Sequence, residues 1–202
     1  KVLNPDVNES VNHFNVNRKG DIRFGLGGLK GFGDNAVAAI VKEREENGAF
    51  KDVFDFVERM GNSVNRRALE TLVDAGAFDS FGYRRTQFFT TGKSGEMFID
   101  ELARYSDLYS KDSLDAGSSL FGDIEEMRPQ RPEMPQFVGE EDLLALLQKE
   151  KEVVGMYLSS HPLDRYSFEI TNFTNCPLAS MQETIDAAEK EKKDRKTAIA
   201  GI

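Results

Sequence analysis

The sequence is poor in the residues from which several protein classes are built. Its 202 residues include one cysteine (Cys176), two histidines (His13 and His161) and no tryptophan. A single thiol excludes a disulfide framework and a four-thiolate zinc site, and two imidazoles do not suffice for a histidine-rich metal site. No apolar run approaches the ~20 residues that a membrane helix needs, so we expect no membrane partner.

The ends of the sequence resemble cuts rather than natural termini. The chain starts at Lys1, without an initiator methionine or a signal-type apolar stretch, and stops at Ile202 within an apolar run. We therefore expect a piece of a larger cytoplasmic protein.

Charge divides the chain into two parts. The formal net charge is −9, yet residues 1–90 carry 13 Lys/Arg and 13 Asp/Glu, whereas residues 91–202 carry 13 Lys/Arg and 22 Asp/Glu. The acidic excess argues against nucleic acid only for the second part, because the first is neutral and gathers several arginines. We expect the two parts to have different roles.

Apolar periodicity predicts a mainly α-helical protein. Residues 1–24 are expected to be extended, and a glycine-rich stretch from Gly25 to Gly33 follows them. Helices are predicted at about 34–46, 52–60, 65–75, 83–110 (with a break at 92–95) and 140–158. Residues 111–139, with three prolines and many acids, are expected to be a linker, and Thr197–Ile202 to be a first β-strand.

The most informative motif is the run Leu29-Lys30-Gly31-Phe32-Gly33 directly before a helix. Gly31 and Gly33 can take φ above zero and let another backbone approach closely. The free N–H groups at the helix start, helped by the helix dipole and by Lys30, form an anion site. This pattern is typical of the helix–hairpin–helix, which holds DNA phosphates and does not read bases. A purely structural glycine turn is the alternative.

Two other phosphate-binding motifs fit less well. The sequence from Gly31 to Ala36 matches the G-x-G-x-x-A dinucleotide fingerprint, but the glycine-rich residues before it do not suit the central strand that fingerprint requires. Gly92-Lys93-Ser94 resembles the end of a P-loop, yet position 87 is Gln where a P-loop has Gly.

A second, degenerate hairpin is predicted from the helix pair 52–60 and 65–75. It lacks the glycine turn but places Arg66 and Arg67, preceded by Asn65, at the start of its second helix. Arginines there can reach phosphates beside outward-facing backbone N–H groups. The alternative is that this pair only packs against the first hairpin.

The linker contains a candidate docking peptide, Ser118-Ser119-Leu120-Phe121. An adjacent Leu-Phe pair in an acidic linker often marks such a peptide, although the pair could also fold back on the domain. Elsewhere we find no nucleophile–base pair and no metal-carboxylate constellation, so the sequence predicts no catalytic or metal-ligating residues.

The ordered set of motifs resembles the bacterial DNA polymerase III alpha subunit family. The resemblance covers nearly the whole chain. The segments that carry it are Asn4–Ser10, Ile22–Gly27 with Lys30–Gly33, Phe54–Phe56, Asn65–Glu70, Gly76–Asp79, Ser118–Gly122, Glu150–Leu158 and His161–Asp164.

The resemblance implies a division of the chain. Its parts are 1–24, the end of the fingers region; 25–80, a tandem helix–hairpin–helix; 81–110, a helical extension; 111–139, a linker with the clamp-binding motif; 140–162, an amphipathic helix; and 163–202, the start of an OB-fold domain. The family's clamp motif usually has Gln two residues before its core, where this chain has Gly117 or, if shifted, Asp115.

The resemblance also implies partners and cofactors. The parent would be a replicative DNA-directed DNA polymerase of the bacterial cytoplasm, associated with the nucleoid, and its partners duplex DNA, the sliding clamp and other replicase subunits. The catalytic aspartates lie upstream of this fragment, so Mg²⁺ is expected for the parent and no cofactor here. The Gly31–Gly33 hairpin is also a candidate site for a monovalent cation.

Two other functions remain open from the residues. One is a DNA-repair glycosylase or nuclease, for which Lys30 with Asp52 or Asp55 is the only catalytic pair on offer. The other is a protein-interaction scaffold that uses Leu120 and Phe121 and does not bind DNA.

Overall fold

The computed structural model describes residues 1–116, 129–136, 139–176 and 178–191. The chain divides into two compact units, Lys1–Ser159 and Ser160–Ile202. The first unit contains every motif predicted to contact DNA.

Helices dominate the first unit, as the apolar periodicity predicts. They are α1 (Asp34–Asn47), α2 (Val53–Met60), α3 (Arg66–Asp74), α4 (Arg85–Phe88), α5 (Phe98–Ala116) and α6 (Leu143–Val154). Short 3₁₀ turns at Leu26–Gly28, Gly61–Ser63 and Asp79–Phe81 connect them. The break predicted at 92–95 falls between α4 and α5, where Thr91 and Met97 form an isolated β-bridge.

The extended segment at the start forms a small sheet. Strands β1 (Val2–Leu3), β2 (Asn15–Val16) and β3 (Ile22–Arg23) lie in the order β1-β3-β2, with β1 parallel and β2 antiparallel to β3. Arg44 of α1 ties this region to the helices by donating to the Val7 and Ser10 carbonyls at 2.7 and 3.0 Å. The Ser10 hydroxyl donates to the Phe24 carbonyl at 2.7 Å and accepts the Asp6 N–H at 2.9 Å.

Aromatic rings form the centre of the first unit. Phe56 packs edge-on against Phe50 and Phe78, and Phe88 lies between Phe78 and Phe98, with centroid distances of 4.9–6.0 Å. Apolar positions three or four residues apart on α2, α3 and α5 direct Phe56, Phe98 and their aliphatic neighbours inward. This core fixes α2, α3 and α5 together beneath the predicted interface.

The stretch 129–136, predicted as linker, packs on the helical unit. Arg131 donates to Glu58 at 2.7 and 2.9 Å and lies over the Phe54 ring, and Gln87 donates to the Pro135 carbonyl at 2.7 Å. Proline and charge thus do not prevent packing here, because Arg131 finds a carboxylate and an aromatic face.

The described residues of the second unit are helical. After a 3₁₀ turn at Asp164–Tyr166 come α7 (Ser167–Phe173), a second turn at Leu178–Ser180 and α8 (Met181–Glu191). The OB-fold start predicted for 163–202 is therefore not confirmed, and the strand predicted at 197–202 lies outside the described residues. Within the described ranges, no helix is both long and apolar enough to cross a membrane.

Candidate nucleic-acid interface

The first hairpin (residues 26–47) consists of the 3₁₀ turn Leu26–Gly28, the glycine turn and α1. Leu29 and Phe32 are buried and anchor the turn from below. Lys30, Gly31 and Gly33, which alternate with them, face solvent. The turn is thus anchored by two buried apolar residues, and Lys30, Gly31 and Gly33 remain exposed.

Helix α1 begins without a side-chain cap. Its N-cap residue is Gly33, which has no side chain to accept a hydrogen bond, and the Gly33 carbonyl accepts the N–H groups of Ala36 and Val37 at 3.0 and 3.2 Å. The N–H groups of Asp34 and Asn35 have no acceptor within the described part of the chain. Unpartnered N–H groups at the positive end of a 14-residue helix are a site for an anion.

The two glycines of this turn differ in conformation. Gly31 takes φ +76°, a left-handed value, but Gly33 has φ −78° and ψ 141°, so only Gly31 uses the positive φ that both can adopt. A Cβ built at either position meets no atom within 4 Å. The space above both residues is therefore open to a ligand.

The second hairpin (residues 53–74) comprises α2, the 3₁₀ turn Gly61–Ser63 and α3. Here the N-cap residue is Asn65, and its Oδ1 accepts the Ala68 N–H at 2.9 Å. One of the N–H groups at the start of α3 is therefore already satisfied within the chain. This end is a weaker anion site than the start of α1.

The two predicted phosphate-contacting arginines have different surroundings. Arg66 donates to Asp100 at 2.7 Å and to Glu70 at 2.5 Å, and the hydrogen bond with Asp100 raises its pKa. Arg67 is exposed, and its guanidinium has no partner among the residues that the structure describes. Arg66 therefore ties α3 to α5, while Arg67 is available to a phosphate.

Lys30 supplies a second available cation beside the first hairpin. Its side chain is exposed and makes no ion pair in the described ranges.

The carboxylates required by the repair-enzyme hypothesis, Asp52 and Asp55, have other partners. Asp52 Oδ1 caps α2 by accepting the Asp55 N–H, and Asp55 pairs with Arg59 at 3.2 Å. Neither carboxylate contacts Lys30, so the structure does not bring that catalytic pair together.

The remaining predicted sites are not tested by this geometry. The candidate docking residues Ser118, Ser119, Leu120 and Phe121 lie outside the described residues. The monovalent cation at Gly31–Gly33 stays a prediction. Among the described side chains, no group of three or more His, Cys, Asp or Glu residues is arranged to hold a metal ion.

One feature next to the first hairpin, its contact with α6, was not predicted from the sequence. The Lys30 N–H donates to the Val153 carbonyl of α6 at 2.8 Å, across more than 120 positions. Farther down α6, Glu150 is fully buried. A signal for Glu150 existed, because it occupies the helix face of Leu147 and Val154, where an apolar residue is expected.

Comparison with known proteins agrees with this geometry. A family model described as a helix-hairpin-helix motif matches residues 1–88, which include both hairpins. The DNA polymerase III alpha subunit of Haemophilus influenzae is 33% identical over 90% of this chain, and that of Deinococcus radiodurans 39% identical over 82%. The Vibrio cholerae subunit is 32% identical over the whole chain.

The resemblance to DNA polymerase III alpha is confirmed. The chain spans 15% of the Haemophilus subunit and 12% of the Deinococcus subunit, so the match is to one segment of a long polypeptide. Within the polymerase III alpha resemblance, the helix-hairpin-helix match ends at residue 88, and α5 and α6 follow it.

Proposed function

We propose that this chain is a segment of a replicative DNA polymerase and that its two hairpins hold duplex DNA by the phosphates, without sequence preference. The observation that carries the proposal is the uncapped start of α1 on an open glycine turn, within a helix-hairpin-helix match. Peptide N–H groups bind phosphate oxygens equally well at any base sequence.

The charge distribution supports a modest affinity for DNA. Two of the four arginines of the hairpins, Arg59 and Arg66, are bound by acids of the same chain. A third, Arg44, donates to the backbone carbonyls of Val7 and Ser10. Lys30 and Arg67 are the cations that we assign to phosphates. Two such contacts, joined by uncharged N–H groups, predict weak binding with a shallow dependence on salt.

Fluorescence anisotropy of the chain with unrelated duplexes at low ionic strength tests the proposal. We expect similar affinities for all sequences and a loss of affinity as salt rises. Gly33→Leu should reduce binding about tenfold or more, because the side chain enters the open space above the turn. Its ordinary φ accepts leucine, so the melting temperature should change little. Sequence-dependent binding, or binding unaffected by Gly33→Leu, would contradict the proposal.

We further propose that Leu120 and Phe121 dock on the sliding clamp. The support is the Leu-Phe pair in an acidic stretch and the family resemblance; Gly117 replaces the usual Gln. Surface plasmon resonance on immobilised clamp should show loss of binding for the double variant Leu120→Ala/Phe121→Ala and unchanged duplex affinity. If the chain is instead a protein-interaction scaffold, the double variant should no longer bind the clamp, and neither it nor the unmodified chain should bind duplex DNA.

The polymerase activity of the parent is likewise proposed from the relatives' name. The parent would transfer nucleotides with Mg²⁺ held by carboxylates outside this chain, with the cytoplasm as its location. Expression of the full-length reading frame and a primer-extension assay test this. Absence of Mg²⁺-dependent extension by the full-length protein would contradict it.

A further inference from the structure

Helix α6 ends against the first hairpin. The Lys30 N–H donates to the Val153 carbonyl at 2.8 Å, which satisfies one of the last four carbonyls that a helix leaves without an internal partner. Gly155 caps this end with φ +91°, and a Cβ built on it would lie 3.7 Å from Lys30 Cε. The end of α6 therefore bonds to the backbone of Lys30, the residue next to Gly31, and lies close to the Lys30 side chain.

One turn before this contact, α6 is fixed by a buried carboxylate. Glu150 is fully buried and accepts from Arg85 Nη1 at 2.8 Å, from the backbone N–H groups of Leu158 and Ser159 at 2.6 and 2.9 Å, and from the Ser159 hydroxyl. Burial alone would raise the pKa of Glu150, but the hydrogen bonds from Ser159, Arg85 and Leu158 outweigh it and lower the pKa. Glu150 is thus an anion with a full set of donors.

Arg85 extends this anchor to the second hairpin. Its guanidinium also donates to the Asp74 carbonyl, at the end of α3, at 3.2 Å and to Asp79 at 2.6 Å. Lys149, beside Glu150, lies 3.8 Å from Asp74 Oδ1. The same short helix thus pairs with the end of the second hairpin directly through Lys149 and, by way of Arg85, through Glu150. It bonds to the turn of the first hairpin through Val153.

We propose that α6 is a brace that positions the first hairpin for phosphate binding, and that Glu150 is the positioning residue that anchors it. This inference rests on the proposed DNA binding. Glu150 does not touch DNA; it fixes the height and direction of α6, and the Val153 carbonyl then sets the Lys30 backbone from which the open turn begins. A stretch separated from the hairpins by a linker in sequence is in this way part of the DNA-binding unit.

Amide hydrogen exchange measured by NMR on the whole chain tests the brace without DNA. In the unmodified chain the Lys30 amide should exchange at least tenfold more slowly than those of Asp34 and Asn35, which have no acceptor. Glu150→Gln removes the charge and weakens the bond to Arg85, so protection at Lys30 should fall about tenfold. Glu152→Gln is the matched control: it is exposed, lies on the same helix, and should leave Lys30 protected.

Duplex anisotropy completes the test. Glu150→Gln should lower affinity at least threefold, while Glu152→Gln leaves it unchanged. If Glu150→Gln unfolds the chain, Ser159→Ala, which removes one donor to Glu150, should give the same two changes to a smaller extent.

The outcomes separate the brace from the proposed function. Unchanged Lys30 exchange in folded Glu150→Gln and Ser159→Ala overturns the brace, and lost protection with unchanged duplex affinity overturns its positioning role. If the unmodified chain fails to bind duplex DNA, the proposed function fails and the positioning role with it, while the exchange data still report whether α6 fixes Lys30.

Discussion

Helix α1 of the first hairpin follows Gly33, an N-cap residue without a side chain, whereas helix α3 of the second follows Asn65, whose side chain caps it. The first hairpin presents open N–H groups and takes its rigidity from buried Leu29 and Phe32. The second is held by ion pairs from Arg66 to Glu70 and Asp100, and offers Arg67 to its surroundings. In the proposed function, the first hairpin would therefore bind phosphate mainly with backbone N–H groups. The second would bind it with the side chain of Arg67, on a helix that ion pairs hold in place.

The largest expected effect concerns the charge of the buried carboxylate at the end of the second hairpin. Asp74, buried at the end of α3, has its pKa raised to about 6 by desolvation, which Lys149 only partly offsets. A carboxyl with a raised folded pKa contributes most stability below its unfolded pKa, near 3.8, and that contribution is lost as pH rises through about 6. Asp74→Asn should therefore become more stable than the unmodified chain by about 2–3 kcal/mol between pH 4 and pH 7.

Urea denaturation of both proteins across this pH range measures the difference. The difference in free energy of unfolding between Asp74→Asn and the unmodified chain should increase as the pH rises. Parallel pH profiles would show that Asp74 does not carry the effect.

The next prediction compares two glycines that both have a left-handed backbone conformation. Gly31 (φ +76°) and Gly82 (φ +82°) both have open space where a Cβ would go. Alanine at either should cost about 1–2 kcal/mol of stability, since left-handed backbone disfavours a side chain. Only Gly31→Ala should also weaken duplex binding, by about tenfold in anisotropy. Equal loss of affinity in both variants would mean that instability, and not the turn, is responsible.

Exchanging the caps would reverse the difference between the hairpins. Gly33 (φ −78°, ψ 141°) and Asn65 (φ −81°, ψ 173°) have similar backbone angles, so each position accepts the other residue. Gly33→Asn should occupy an open N–H group and lower duplex affinity about threefold to fivefold without loss of stability. Asn65→Gly should cost only a few tenths of a kcal/mol. Anisotropy and thermal melting measure both, and stronger duplex binding by Gly33→Asn would contradict the anion-site interpretation.

The smallest expected effect separates the neighbouring arginines. Arg67→Ala should weaken duplex binding about threefold and reduce the slope of log affinity against log salt by about 1. Arg66→Ala should leave that slope unchanged and lower stability, because Asp100 and Glu70 lose their shared partner. A salt series for both variants decides the matter, and a change of slope with Arg66→Ala would reassign the contact.

Local patterns predicted the helices of the first unit but not α7 and α8 of the second, and they could not predict long-range contacts. Helix α3 was placed within one residue at each end, because Asn65 and Gly76 mark its limits through adjacent backbone groups. The pairing of Arg66 with Asp100 depends on how α5 returns across α3, which no local pattern encodes. Sequence reasoning therefore selected both arginines, and the fold separates them.

The same limit explains why the buried contact of α6 was not predicted. Its amphipathic pattern predicted a helix, but position 150 looked like one more solvated glutamate in a charged stretch. Arg85 lies 65 positions away, and only the folded chain brings the two together. A charged residue at an apolar repeat position, as at Glu150, is the one local signal that such a partner exists.

The uncapped start of α1 has a consequence for regulation. Peptide N–H groups carry no titratable proton in the physiological range and no amine that acetylation can neutralise. The share of duplex binding that the N–H groups at the start of α1 supply should thus be constant across cellular pH and acetylation state, whereas the share from Lys30 can be altered by acetylation. Covalent modification of side chains should therefore leave this part of the DNA affinity in place.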